Sequence, residues 1–163
     1  MTTSEALAWL ARHQPLPNDQ DLTLQQGHTY HLLLEHFSRH PDPRCIPLFL
    51  HSFGGRNGNG LYQLVENVIL HYSPSQVLPH LQRSLISAQV YVRQWSAQVA
   101  THFPDDSLIS LLAHLLADED GDVKSSTIIA LLQIPGSRAA SILAVYAENE
   151  PDVFLRDLAL DQD

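Results

Sequence analysis

The 163-residue sequence predicts an all-α chain, a solenoid of stacked helix pairs. Three observations carry this prediction. The chain repeats with a period near 31 residues, its apolar residues fall at helical spacing inside each period, and Gly, Pro, Asp and Ser gather at the joints. An apolar residue followed by a polar or basic one opens a helical pattern at Val92-Arg93 and Val123-Lys124, and Val153 opens another. The spacings are 31 and 30. One step back, Leu61 opens LYQLVENVIL. A second series runs through Ile46-Pro47-Leu48-Phe49, Leu78-Pro79-His80-Leu81, Ile109-Ser110-Leu111-Leu112 and Ala140-Ser141-Ile142-Leu143, at offsets of 32, 31 and 31. Each unit thus has two short amphipathic segments, as in Leu61, Leu64, Val65 and Val68.

The elements follow in order. Thr2 and Glu5 have capping-box spacing ahead of ALAWLARH, which predicts a first helix. HQPLPNDQD (13–21) is a loop, and a second helix starts near Leu24. Residues 1–40 keep no repeat phase and are expected to form an N-terminal helical extension or cap. Residues 44–163 are expected to hold about four helix pairs, all within one domain spanning 1–163. Joints between pairs lie at SPS (73–75), FPDDS (103–107) and PGS (135–137). Joints within pairs are GGRNGNG, DEDGD (118–122) and ENEPD (148–152). Asp122 and Asp152, directly before Val123 and Val153, are expected to cap the helices that follow. One pair cannot cover its own apolar face, so the terminal pairs need a polar outer side. The acids of DLALDQD (157–163) are expected to supply it at the C-terminus.

Apolar residues make up 44% of the chain, which excludes a disordered class. No apolar run approaches the ~20 residues of a membrane span, and MTTSEALAWLARH lacks the pattern of a secretory signal. Cys45 is the single cysteine, so no internal disulfide and no CxxC metal site can form. These features predict a cytoplasmic protein. The net charge of -9 is uneven: residues 1–104 balance six acids with six basic residues, whereas 105–163 set twelve acids against Lys124, Arg138 and Arg156. Such a surface repels nucleic acid and attracts a basic protein. Surplus acid also serves solubility alone, and charge by itself does not separate the two readings.

VYVRQWSAQVATHFPDDSLISLLAHLLADEDGDVKSSTIIALL (90–132), with its VR opening and Asp-rich turn, resembles HEAT-type repeats, closest to the short form also found in phycobilisome lyase subunits. Residues 45–89 match more loosely, and 138–163 resemble a degraded final repeat. The resemblance implies a right-handed α-solenoid. It also implies that Arg93 and Lys124 bridge adjacent repeats through acidic residues. Ala97 and Ala100 fit the small residues usual in the second helix, while Val65 and Ile69 are bulkier. Activity is not implied, because one fold hosts many roles.

Two groups of residues are candidates for partner binding. Asp118, Glu119, Asp120, Asp122, Glu148, Glu150 and Asp152 occupy equivalent turns and are expected to line one acidic ridge; Asp122 and Asp152 read first as caps. Tyr62, Tyr91 and Trp95 lie on or beside the second helices, which line the inner face of a solenoid. Trp95 reads first as packing between repeats and second as an anchor. DEDGD lacks the spacing and terminal Glu of an EF-hand loop. His28, His31, His36 and His40 crowd one helix, but only His36 and His40 are four apart and no HExxH occurs, so no metal is expected. FGGRNGNG (53–60) holds four of the seven glycines, yet no strand precedes it and no GK[ST] ends it. It reads as a joint between helices, not a nucleotide loop.

No catalytic motif is present, and no cofactor is expected. The functional expectation is a non-enzymatic protein-binding module, in concrete form a small bacterial inhibitor of a basic partner, such as an immunity protein paired with a nuclease toxin. The alternatives are an adaptor or scaffold, and a bilin-lyase-like protein.

Overall fold

A computed structural model describes residues 1–161, so Gln162 and Asp163 at the end of DLALDQD lie outside the described residues. The chain is all-α, and no strand occurs among the described residues. It divides into two compact units, Met1–Ser84 and a second beginning at Leu85.

The first unit contains α1 (Thr3–Arg12), α2 (Leu24–Arg39), α3 (Cys45–Leu50), α4 (Gln63–Ile69) and α5 (Pro74–Ser84). Helix α1 packs on α3 and α3 on α5, while α2 packs on α4. The N-terminal segment is therefore more than an extension: α1 and α2 form a helix pair in the same two layers as α3 and α4. Its phase is obscured by the long joint between the two helices. Both helices start on capping boxes, Thr2 with Glu5 and Thr23 with Gln26, each satisfying two otherwise open N–H groups.

The core of this unit is aromatic. Tyr30, Phe37, Phe49, Phe53 and Tyr62 are fully buried and meet edge to face at centroid distances of 5.1–6.2 Å. The polar ends of the two tyrosines find partners. Tyr30 Oη lies 2.6 Å from Ser52 Oγ, and Tyr62 Oη accepts from the Gly54 N–H at 3.0 Å.

Those contacts explain the glycines of FGGRNGNG. Gly58 has φ +56°, and a Cβ there would come within 2.6 Å of the Tyr62 ring. Gly54 lies so close to the 13–23 joint that a Cβ would meet the Leu16 carbonyl oxygen at 1.5 Å. The loop does wrap an anion, but an internal one: the Asp19 carboxylate accepts from the N–H groups of Asn57 and Gly58 at 3.1 and 2.9 Å. Leu16 N–H donates to the Ser52 carbonyl at 2.9 Å and completes the clasp.

The second unit contains α6 (Val90–Ala100), α7 (Ile109–Leu115), α8 (Gly121–Gln133), α9 (Ser137–Asn149) and α10 (Val153–Leu160). Helices α6, α8 and α10 pack in series, with α7 and α9 against α8 and α9 also against α10. This is the layering of an α-solenoid. Gln89, Asp120 and Asp152 are the N-cap residues of α6, α8 and α10. Counting from them corrects the repeat register. Val92, Val123 and Leu155 are the equivalent buried residues, each third after its cap, whereas Val153 is 58% exposed. The caps Asp120 and Asp152 are 32 residues apart, one more than the strict period. The expected polar outer side of the last pair is also incomplete. Asp157 and Asp161 are exposed, but so are Val153, Phe154 and Leu160.

Gly54→Ala should destabilise the chain by about 3 kcal/mol or prevent folding, because backbone has to move. Gly121→Ala, with nothing within 4 Å and an ordinary φ, should stabilise it by about 0.5 kcal/mol. Chemical denaturation of the two variants checks both signs.

Candidate acidic edge of the second unit

The two acidic turns share one construction. Asp118 and Glu150 each stand two residues before a helix cap. Asp118 Oδ1 accepts from the Asp120 N–H at 3.0 Å, and Glu150 Oε1 accepts from the Asp152 N–H at 3.0 Å. Asp120 then caps α8 by accepting from the N–H groups of Asp122 and Val123, and Asp152 caps α10 by accepting from Leu155. The cap of α8 is therefore Asp120 and not Asp122, because the helix begins at Gly121, two residues earlier than the apolar pattern suggests.

The same acids receive a basic side chain from the capped helix of the preceding repeat, α6 or α8. Arg93 grips Asp118 with two N–H groups at 2.7 and 3.2 Å, and donates to the carbonyls of Ser87 and Ala88 at 2.9 and 3.2 Å. Lys124 donates to Glu150 at 3.2 Å, and Tyr146 Oη donates to the same carboxylate at 2.5 Å. These are ladder contacts between repeats, with Asp118 and Glu150 side chains only 8% and 5% exposed. Arg93 and Lys124 are each fourth after their caps, so the ladder also aligns the N-terminal ends of α6, α8 and α10 along one edge.

Both ladder carboxylates are held below the usual carboxylate range. For Asp118, burial opposes ionisation, but the Arg93 hydrogen bond and the N–H groups of Asp120 and Glu119 outweigh it. For Glu150 the Tyr146 hydroxyl is the leading cause, followed by the Asp152 N–H, with Lys124 behind them.

The expected ridge is thus divided by role. Asp118 and Glu150 are buried in the ladder, and Asp120 and Asp152 are engaged as caps. Glu119 and Glu148 are exposed and serve as neither cap nor rung; Asp122 is exposed near Glu119 in the first turn of α8, and Glu148 is in the last turn of α9. Among the aromatics, Tyr62 is removed from the contact surface: it is fully buried in the first unit beneath its own glycine loop. Tyr91 and Trp95 are half-buried, one turn apart on α6. Tyr91 and Asp122 are both second after their caps, on helices that pack together, so the aromatic pair adjoins the exposed acids.

Other chemistry-bearing groups lie elsewhere. Burial pushes the Cys45 thiol up to about 12, and it sits 3.3 Å from Tyr72 Oη. His36 Nε2 is engaged with Thr3 Oγ1 at 3.1 Å. Among the described residues, no group of three or more His, Cys, Asp or Glu could hold a metal ion. No helix among them is long and apolar enough to cross a membrane.

A family model described as HEAT repeats matches residues 77–161, just over half of the chain. No curated protein matches the chain.

Truncating Arg93 to Ala leaves the buried Asp118 carboxylate without its cation and should cost about 3 kcal/mol. The pH dependence has a defined sign. A carboxylate with a depressed folded pKa contributes its full stabilisation above its unfolded value and loses it as pH falls through the folded value. Stability should therefore hold from neutral pH down to about 4 and then fall. Asp118→Asn should lower stability at neutral pH and flatten that acid limb, as read from denaturation midpoints across the pH range.

Proposed function

The chain belongs to the HEAT-repeat family, and from that premise we propose that it is a protein-binding module whose partner is basic. Glu119 and Glu148 carry this reading. Glu119 is exposed in the turn that the ladder organises, beside exposed Asp122, and Glu148 is exposed in the last turn of α9, just before the next such turn; neither is needed for a cap or a rung. A carboxylate that serves no local structural role yet stands on an aligned edge is well placed to steer a cationic partner. Tyr91 and Trp95, half-buried next to that edge, supply rigid contact area of the kind that dominates interface energetics.

The specific form we propose is a non-enzymatic inhibitor that covers a basic enzyme, in the manner of an immunity protein on a nuclease toxin. The acid surplus after residue 104 supports it. The same surplus disfavours nucleic acid as the ligand, since an acidic surface repels phosphates. The steps in binding are electrostatic approach through the carboxylates, followed by docking of Tyr91 and Trp95.

The test begins with capture of the partner from the native host at low salt, then kinetics with the purified pair. Glu119→Gln with Glu148→Gln should lower the association rate about tenfold and weaken its salt dependence, with the melting temperature unchanged. Tyr91→Ala should raise the dissociation rate about tenfold. An unchanged association rate in the double variant sinks the electrostatic mechanism. A captured partner that is acidic sinks the reading as a whole.

A further inference from the structure

The ladder of the second unit has one more rung than it has partners for. Arg93, Lys124 and Arg156 are each fourth after the caps Gln89, Asp120 and Asp152. The first two reach the acid that stands two residues before the next cap. Arg156 makes a 3.9 Å contact with its own neighbour Asp157, and its side chain is 40% exposed. The apolar surface shows the same open step. Ala97, Ile128 and Leu160 are each eighth after the cap. Ala97 and Ile128, with a further repeat stacked beyond them, are fully buried, whereas Leu160 is 56% exposed and Val153 58% exposed.

The complementary half stands in the first unit. Helix α2 is capped by Thr23, and two residues before that cap stands Asp21, the position that Asp118 and Glu150 hold in the ladder. Asp21 is exposed, and Leu24, the first residue of α2, is 94% exposed. So one face offers a cation and apolar residues where the repeat would continue, and another offers the matching acid and an apolar residue where a repeat would be received.

We infer that the α10 face of one copy takes the α2 edge of a second copy, with Arg156 on the second copy's Asp21 and with Leu160 and Val153 covered by the incoming helix. The contact continues an interface the chain already builds twice, at α6 on α8 and at α8 on α10. Head-to-tail contact uses two different surfaces, so it adds copies in series.

Sedimentation velocity from micromolar to millimolar protein tests this, with Arg156→Glu and Asp21→Arg as single variants. Both side chains are on the surface, so thermal melts should match the parent. The expected result is concentration-dependent growth of the parent, and association weakened at least tenfold in each variant. The double variant Arg156→Glu with Asp21→Arg should associate again on its own, because at every contact a reversed residue then meets only the other reversed residue. Leu160→Asp should weaken association as well. A parent that stays monomeric throughout overturns the inference, as does association that survives both single reversals. Single reversals that weaken association, with a double variant that does not recover it, overturn it too, because the two residues then do not meet.

Discussion

A carboxylate two residues before the caps of α8 and α10 holds the second unit together. At that position one side chain satisfies the N–H of the cap residue and receives the cation from the capped helix of the preceding repeat. The cap residue then satisfies the first N–H groups of the next helix. Turn, cap and inter-repeat contact are therefore one connected set of hydrogen bonds. This coupling explains why burying charge is tolerated here. Desolvating Asp118 is costly, but its oxygens are occupied by Arg93 and the Asp120 N–H, so no buried lone charge remains. The same geometry forces adjacent helices to present their N-terminal ends side by side, and any surface function of this edge inherits that alignment.

The first unit solves its joint differently, and the contrast locates the two charge patterns. Its long joints cannot use a short acid-capped turn, so the glycine loop folds over Tyr62 and closes around Asp19. An anion is bound by successive backbone N–H groups, as in a phosphate-binding loop, but the anion belongs to the chain. Occupation by Asp19 and the tight approach of Leu16 make this a structural clasp between the 13–23 and 53–60 segments, not an empty cradle.

The all-α fold, the helices after residue 44 and the capping box at Thr2 were legible because period, helical spacing and cap chemistry are local signals. The α1–α2 pair was hidden because its long joint breaks the period, and periodicity detects spacing, not layering. The last repeat was misregistered for a similar reason. Val153 continues the apolar series by count, but the caps Asp120 and Asp152 are 32 residues apart, so the buried position third after the cap falls at Leu155. Tyr62 shows the limit for site residues. A tyrosine at a helix start reads alike whether it faces solvent or lies under a glycine loop, and only the packing of Tyr30 and Phe53 against it decides. The Thr23–Gln26 box and the acid-before-cap spacing of Asp21, Asp118 and Glu150 were present in the sequence. Their meaning emerges once the caps are known.

Net charge is a poor measure of what this edge offers a partner. Asp118 and Glu150 are neutralised in the ladder, and Asp120 and Asp152 direct oxygens at their own helix N–H groups. A partner approaching the edge meets chiefly Glu119 and Asp122 at the start of α8 and Glu148 in the last turn of α9, on helices whose axes pack ~8–10 Å from their neighbours. That spacing is close to the Debye length at physiological salt, ~8 Å, so the two turns act partly as separate contacts and not as one smeared field. Recognition by such an edge depends on where a partner's cations stand as well as on how many it carries. The ladder sets those positions, and in this way a device that stabilises the stack also fixes the pattern of charge that the stack displays.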